Sequence, residues 1–201
     1  MSSEVQKEIE IELAKSRAGQ LYFLSDFRGM GSDAAIRQSL SRICKTGGIK
    51  RIAHGVYLLP KVDPVLGELM PSLESIAEAI AKKEHIRIKP VGAYALHKLG
   101  LTTQIPMKLV YITDGQARVI KIGKSTIKFK PTTPKKLVME GKLSSLIIQA
   151  LEELGTENLE PKTVKKIKEL LYKEDRKKLM NDIKLAPANI SDFLFSLLKE
   201  K

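Results

Sequence analysis

Apolar residues recur at three- and four-residue spacing near both ends of the chain and at every second position between residues 109 and 130. That pattern predicts helices flanking a set of strands. Val5, Ile9 and Leu13 lie four apart, with Glu8 and Glu12 off the stripe, which predicts a first helix over Glu4–Ser16 closed by Gly19. Gln20–Leu24 reads as a short strand with Leu21 and Phe23 on one face. Ser25-Asp26 can cap a one-turn helix through Phe27-Arg28, and Gly29-Met30-Gly31 then turns the chain. Ile36, Leu40 and Ile43 at i, i+4 and i+7 predict the next helix. Ser32 is its N-cap, Asp33 suits the positive first turn, and Gly47-Gly48 supply a left-handed stop. Ile49–Ile52 and Val56–Leu59, joined by Ala53-His54-Gly55, read as a hairpin with Lys50 and Arg51 on its tip side.

Pro60, Pro64, Gly67 and Pro71 mark residues 61–71 as a linker between two domains. A helix from Ser72 to Lys83 follows, then a brief strand over Ile86–Lys89 and a helix over Val91–Leu99 closed by Gly100. Leu109–Thr113, Ala117–Ile122 and Thr126–Lys130 alternate with period two and are separated by the tight-turn sequences Asp114-Gly115 and Gly123-Lys124-Ser125. They predict an antiparallel meander. Leu143–Leu154, Thr163–Tyr172, Asp175–Ile183 and Ser191–Leu198 return to helical spacing. The fold class is therefore α+β. Residues 1–60 form one domain; residues 72–201 form an α/β domain with a small antiparallel sheet and a helical tail from about residue 143.

Charge changes this picture more than length does. The 201 residues carry a formal charge of +12, and it is unevenly spread. Residues 118–142 hold 8 Lys/Arg against 1 acid, whereas residues 143–201 hold 11 against 10. In the first 60 residues, four of the 6 acids (Glu4, Glu8, Glu10, Glu12) sit in the first predicted helix, which leaves the following stretch basic. Such concentration is the electrostatic footprint of a partner rich in phosphate. A single cysteine, Cys44, excludes an intrachain disulfide. Met1–Glu12 is acidic and amphipathic rather than leader-like, and no run approaches the roughly 20 apolar residues of a membrane span. These features predict a cytoplasmic protein without a membrane partner.

Arg37, Gln38, Ser41, Arg42 and Lys45 lie mostly off the apolar stripe of their helix. All five can donate hydrogen bonds to phosphates or base edges. Lys50, Arg51 and His54 follow at once in the hairpin. Helix, strand, short helix, turn, donor-lined helix and basic hairpin come in the order of a winged helix-turn-helix, in which the helix enters the major groove and the hairpin lies along the backbone. The plainer reading is a small α/β subdomain with solvated charges. Lys121, Lys124, Lys128 and Lys130 form a second basic surface on the strands, for a further contact or simply for solubility. His54, His85 and His97 are scattered and offer no metal-ligand spacing. Asp114, with Glu140-Gly141-Lys142, has the composition of a metal-dependent nuclease site, provided both parts meet across paired strands. Otherwise the pattern assigns no catalytic residue, metal or cofactor.

Three stretches together resemble the AbiEi-like antitoxins of abortive-infection type E (type IV) toxin–antitoxin systems: Ala53-His54-Gly55-Val56-Tyr57, the segment from Leu96 to Pro106, and Tyr111-Ile112-Thr113-Asp114-Gly115. The likeness covers about residues 5–140. It implies a bacterial two-domain protein whose winged helix binds inverted repeats in its own promoter and represses the operon. It implies a second domain that opposes a nucleotidyltransferase-type toxin without a stable complex. A stand-alone winged-helix regulator, with a ligand- or partner-binding second domain, is the alternative.

Overall fold

A computed structural model describes residues 2–199, with side chains from Glu4 onward. The chain is α+β and divides into two compact units: residues up to Ala79 together with Ile120–Gly123, and Ile80–Val119 together with Lys124 onward. No helix among the described residues is long and apolar enough to cross a membrane.

In the first unit the order is α1 (Ser2–Ala14), β1 (Leu21–Phe23), a 3-10 turn (Leu24–Phe27), α2 (Asp33–Lys45), β2 (Lys50–Ala53) and β3 (Val56–Leu58). Val5, Ile9 and Leu13 of α1 pack with Ile36, Leu40 and Ile43 of α2 around Phe27, so the two apolar stripes find each other. Both ends of α2 form for the reasons the sequence gives. Ser32 Oγ accepts from Ala35 N–H at 3.3 Å. Beyond its last turn Gly47 adopts φ 81°, and Gly48 N–H and Gly47 N–H donate back to Ile43 and Cys44 carbonyls at 3.0 and 3.2 Å. That pair of bonds is a Schellman stop, which needs a residue tolerant of positive φ.

The strands pair antiparallel in the order β1-β3-β2. Tyr22, not Leu21 or Phe23, is the buried residue of β1. Lys50 stands opposite Leu58 at the open end of the hairpin and Arg51 opposite Tyr57. The tip is His54-Gly55, so the expectation that Lys50 lies toward the tip is corrected. Residues 61–71 are not a bare linker either. They form a second antiparallel hairpin, β4 (Lys61–Asp63) and β5 (Gly67–Leu69), whose turn is fixed by Asp63 accepting from Val65 and Leu66 N–H, both at 2.9 Å.

The chain continues through α3 (Leu73–Glu84), β6 (Ile88–Val91), α4 (Ala93–Lys98), β7 (Lys108–Thr113), β8 (Arg118–Ile122) and β9 (Ser125–Pro131). The sheet order is β6-β7-β9-β8. β6 pairs antiparallel with β7, but β7 pairs parallel with β9, Lys108 opposite Thr126 through Thr113 opposite Pro131. The expected meander is thus replaced by a mixed sheet in which β9 is inserted between β7 and β8. Leu109, Tyr111, Ile127 and Phe129 fill one face, with Tyr94 of α4 edge-on to Tyr111 at 5.7 Å.

A short α5 (Pro134–Leu137) leads to α6 (Lys142–Leu154), α7 (Pro161–Leu171), α8 (Arg176–Leu185) and α9 (Ala188–Lys199). Ile147, Ile148 and Leu151 of α6 form a common core with Ile167 and Leu171, Leu179 and Ile183, and Ile190, Leu194 and Leu197.

Candidate nucleic-acid interface

α2 turns its apolar stripe inward, which forces Arg37, Gln38, Ser41, Arg42 and Lys45 outward; all five are exposed. At about 100° per residue, Arg37, Ser41 and Lys45 run along one line, and Arg42 lies about 140° round from Arg37. Arg37 and Ser41 face the hairpin. With Cys44, Arg51, His54 and Tyr57 they line a cleft of about 190 Å³. Arg37 approaches Asp33 at 3.8 Å, but both side chains are mostly exposed. Such a pair contributes little and leaves the guanidinium available.

The hairpin cations differ sharply from one another. Lys50 Nζ donates to both carboxylate oxygens of Glu68 on β5, at 3.0 and 2.9 Å. Its charge is locally matched. Arg51 Nη2–H donates to His54 Nδ1 at 3.0 Å, and Arg51 Nε–H to Ala53 O at 3.4 Å. A guanidinium only donates, so His54 Nδ1 must accept; in the neutral ring the proton then sits on Nε2, an outward donor. Burial pushes the Cys44 thiol above its usual pKa, with Arg51 opposing. Burial likewise raises the Tyr57 phenol, against Arg51. Both are neutral donors at the back of a basic cleft.

Of the lysines predicted to form a second basic surface, two share a strand face. Alternation along β9 buries Ile127 and Phe129 and leaves Lys128 and Lys130 on the other face. Lys124 is exposed in the turn after Gly123, whose φ of 58° suits the first position of a tight hairpin turn. Lys121 is exposed on β8. Arg118 takes no part in that surface: it grips Glu84 through both terminal nitrogens, at 2.6 and 2.5 Å, and lies over the Phe129 ring.

In the carboxylate–lysine constellation, Asp114 is already engaged by a cation. Asp114 accepts from Arg87 N–H at 2.7 Å and Arg87 Nε–H at 2.8 Å. Those bonds hold its carboxyl below the usual range. Next to Glu140, the backbone N–H groups of Glu140 and Gly141 both donate to Asp182, at 2.9 Å. Among the described residues no three His, Cys, Asp or Glu side chains gather as a metal site requires.

Three polar residues to which the sequence pattern gave no role turn out to matter. Asp182, fully buried on α8, also accepts from Ser144 Oγ at 2.5 Å. Glu174 accepts from Leu143 and Ser144 N–H at 2.6 and 3.1 Å. Together they satisfy three of the free N–H groups that open α6, those of Gly141, Leu143 and Ser144. Gln149 is only 3% exposed, and its Nε2 has no hydrogen-bond partner among the described residues. The available signal was a polar residue on an apolar stripe: Asp182 lies between Leu179 and Ile183, and Gln149 follows Ile147-Ile148.

No curated protein matches the chain. A family model does, over residues 8–179, a span that runs from within α1 to within α8: the chain belongs to DUF6088, a family of unknown function.

Proposed function

We propose that the chain is a double-stranded DNA-binding autorepressor of the winged helix-turn-helix kind. In this reading it serves as the antitoxin opposing a nucleotidyltransferase-type toxin, without a stable complex. The observation that carries the DNA-binding half is the single cleft that joins Arg37 and Ser41 of α2 to Arg51 and His54 of the hairpin. A helix with five outward donor side chains, placed beside a hairpin whose tip also donates, suits a groove and its flanking phosphates. α2 would enter the major groove with Arg37, Gln38, Ser41, Arg42 and Lys45; Arg51 and His54 would follow the backbone. The antitoxin half is supported by the likeness of the segments 96–106 and 111–115 to AbiEi-like antitoxins.

The test is an electrophoretic mobility shift with the protein's own upstream DNA at two salt concentrations, beside the Arg37→Ala/Arg42→Ala protein. A sequence-specific shift lost by the double variant is expected. Equal, weak binding to any DNA would overturn the repressor reading. Co-expression with the neighbouring gene product then tests the antitoxin half: growth should be rescued by the double variant as well, because the α6–α9 core that carries the second unit is untouched.

A further inference from the structure

The near-neutral balance of residues 143–201 conceals a segregation of charge. Between Lys162 and Lys178 stand eight of its 11 cations but only three of its 10 acids. Two of those three, Glu174 and Asp175, turn their carboxylates onto backbone N–H groups. α7 buries Ile167 and Leu171. At 100° per residue, Lys162, Lys165, Lys166, Glu169, Tyr172 and Lys173 then fall within about 120° of one another on the opposite, outward face. Tyr172 is 63% exposed there. The first four of these residues, with Glu160 and the loop 100–104, line a cleft of about 650 Å³. Thr103 and Gln104 of that loop are exposed. Among the described residues neither the three cleft lysines nor Glu160 and Glu169 form an ion pair.

Free ammonium groups interleaved with free carboxylates suit a polymer in which anionic phosphates alternate with hydroxyl donors. An exposed ring among cations adds a platform on which an unpaired base can stack. Single-stranded RNA offers all three partners, whereas DNA lacks the 2′-hydroxyl and a duplex keeps its bases stacked on each other. We propose that the outward face of α7 and its cleft bind single-stranded RNA. Lys162, Lys165 and Lys166 meet phosphates, and Glu169 accepts from a ribose 2′-hydroxyl. A base stacks on Tyr172, about one helical turn beyond Glu169. The proposal does not depend on DNA binding by the first unit, and the two stand or fall separately.

Fluorescence anisotropy of the full chain with a labelled mixed-sequence RNA of about 12 nucleotides, beside single-stranded DNA of the same sequence, tests it. RNA should bind saturably and about threefold or more tighter than the DNA. Tyr172→Ala should weaken RNA binding about fivefold or more. Lys162→Ala/Lys165→Ala should make the slope of log K against log salt shallower by about 1.4, two single-strand phosphate contacts. Glu169→Ala should erase the advantage of RNA over DNA. All four side chains are exposed, so these proteins should fold as wild type does. Arg37→Ala/Arg42→Ala should bind RNA as wild type does. No saturable RNA binding would overturn the proposal, as would equal affinity for the DNA or unchanged binding by Tyr172→Ala or the lysine double variant. Loss of RNA binding in Arg37→Ala/Arg42→Ala would overturn it too, because the RNA would then be held by the first unit.

Discussion

Glu68→Gln should make DNA binding stronger and more salt-sensitive, because Glu68 occupies a cation that the hairpin would otherwise offer to phosphate. Both Glu68 oxygens lie within 3.0 Å of Lys50 Nζ, yet the two side chains remain 36% and 49% exposed. An exposed pair of this kind contributes at most about 1 kcal/mol, so the substitution should leave the fold intact. One added phosphate contact steepens log K against log salt by about 0.9. Between about 50 and 200 mM salt that is a further loss of affinity of about 3.5-fold for the variant relative to wild type. Arg51→Ala should shift the slope the other way by the same about 0.9, while Lys50→Ala should leave it unchanged. Fluorescence anisotropy with a labelled operator over a salt series measures all four proteins. A Lys50→Ala slope as shallow as that of Arg51→Ala would refute the reasoning, for it would mean that Lys50 reaches phosphate despite Glu68.

The second unit yields stability predictions. Asp182→Ala strands Glu140 N–H, Gly141 N–H and Ser144 Oγ, and at about 1 kcal/mol or more each urea denaturation should show a loss near 3 kcal/mol; a loss under about 1 would show those donors satisfied elsewhere. Gly141→Ala would place its Cβ 2.0 Å from Ser144 Oγ and within 2.9 Å of the Glu174 and Asp182 carboxylates. A cost of about 1–3 kcal/mol is expected by the same assay, and wild-type stability would contradict it. For Glu174, burial raises the carboxyl pKa, but backbone N–H donors from Ser144, Leu143 and Asp175 outweigh it and the net shift is downward. Its contribution is then fully present above the unfolded value of about 4.3 and fades as pH falls through the lower folded value. Glu174→Gln should therefore be less stable than wild type at neutral pH, with the gap closing in acid; a gap that widens in acid would contradict this.

Helices were legible because a stripe at helical spacing is a local property. Val5, Ile9 and Leu13, like Ile36, Leu40 and Ile43, are buried as their spacing requires. Strands were legible as strands for the same reason, but period two fixes which face a residue takes and not which strand lies beside it. The insertion of β9 next to β7 is a long-range choice, and a tight turn at Asp114-Gly115 suggested the wrong neighbour. Asp114 in fact spends its carboxylate on Arg87, a residue 27 positions away. The exposed face of α2 was legible, because outward positions follow from inward ones. The place of Lys50 in the hairpin was misread, because the tip and a register shift between Arg51 and Ala53 depend on pairing. Lys50's partner Glu68 comes from a stretch whose prolines disguised a hairpin. Gln149 and Asp182 escaped notice because helical spacing tolerates a polar residue beside its apolar stripe without betraying its surroundings.

The parallel pairing of β7 with β9 also constrains how the chain emerges during synthesis. β6 and β7 can pair as soon as residue 113 is available, but β7 then presents an open edge until residue 131 follows. At about 5–20 residues per second that edge stays bare for about one to four seconds. Leu109, Tyr111 and Ile112 lie along it, the composition that most readily recruits a foreign strand. Synonymous codons that slow translation between residues 113 and 131 should therefore lower soluble yield more than the same codons placed after α6.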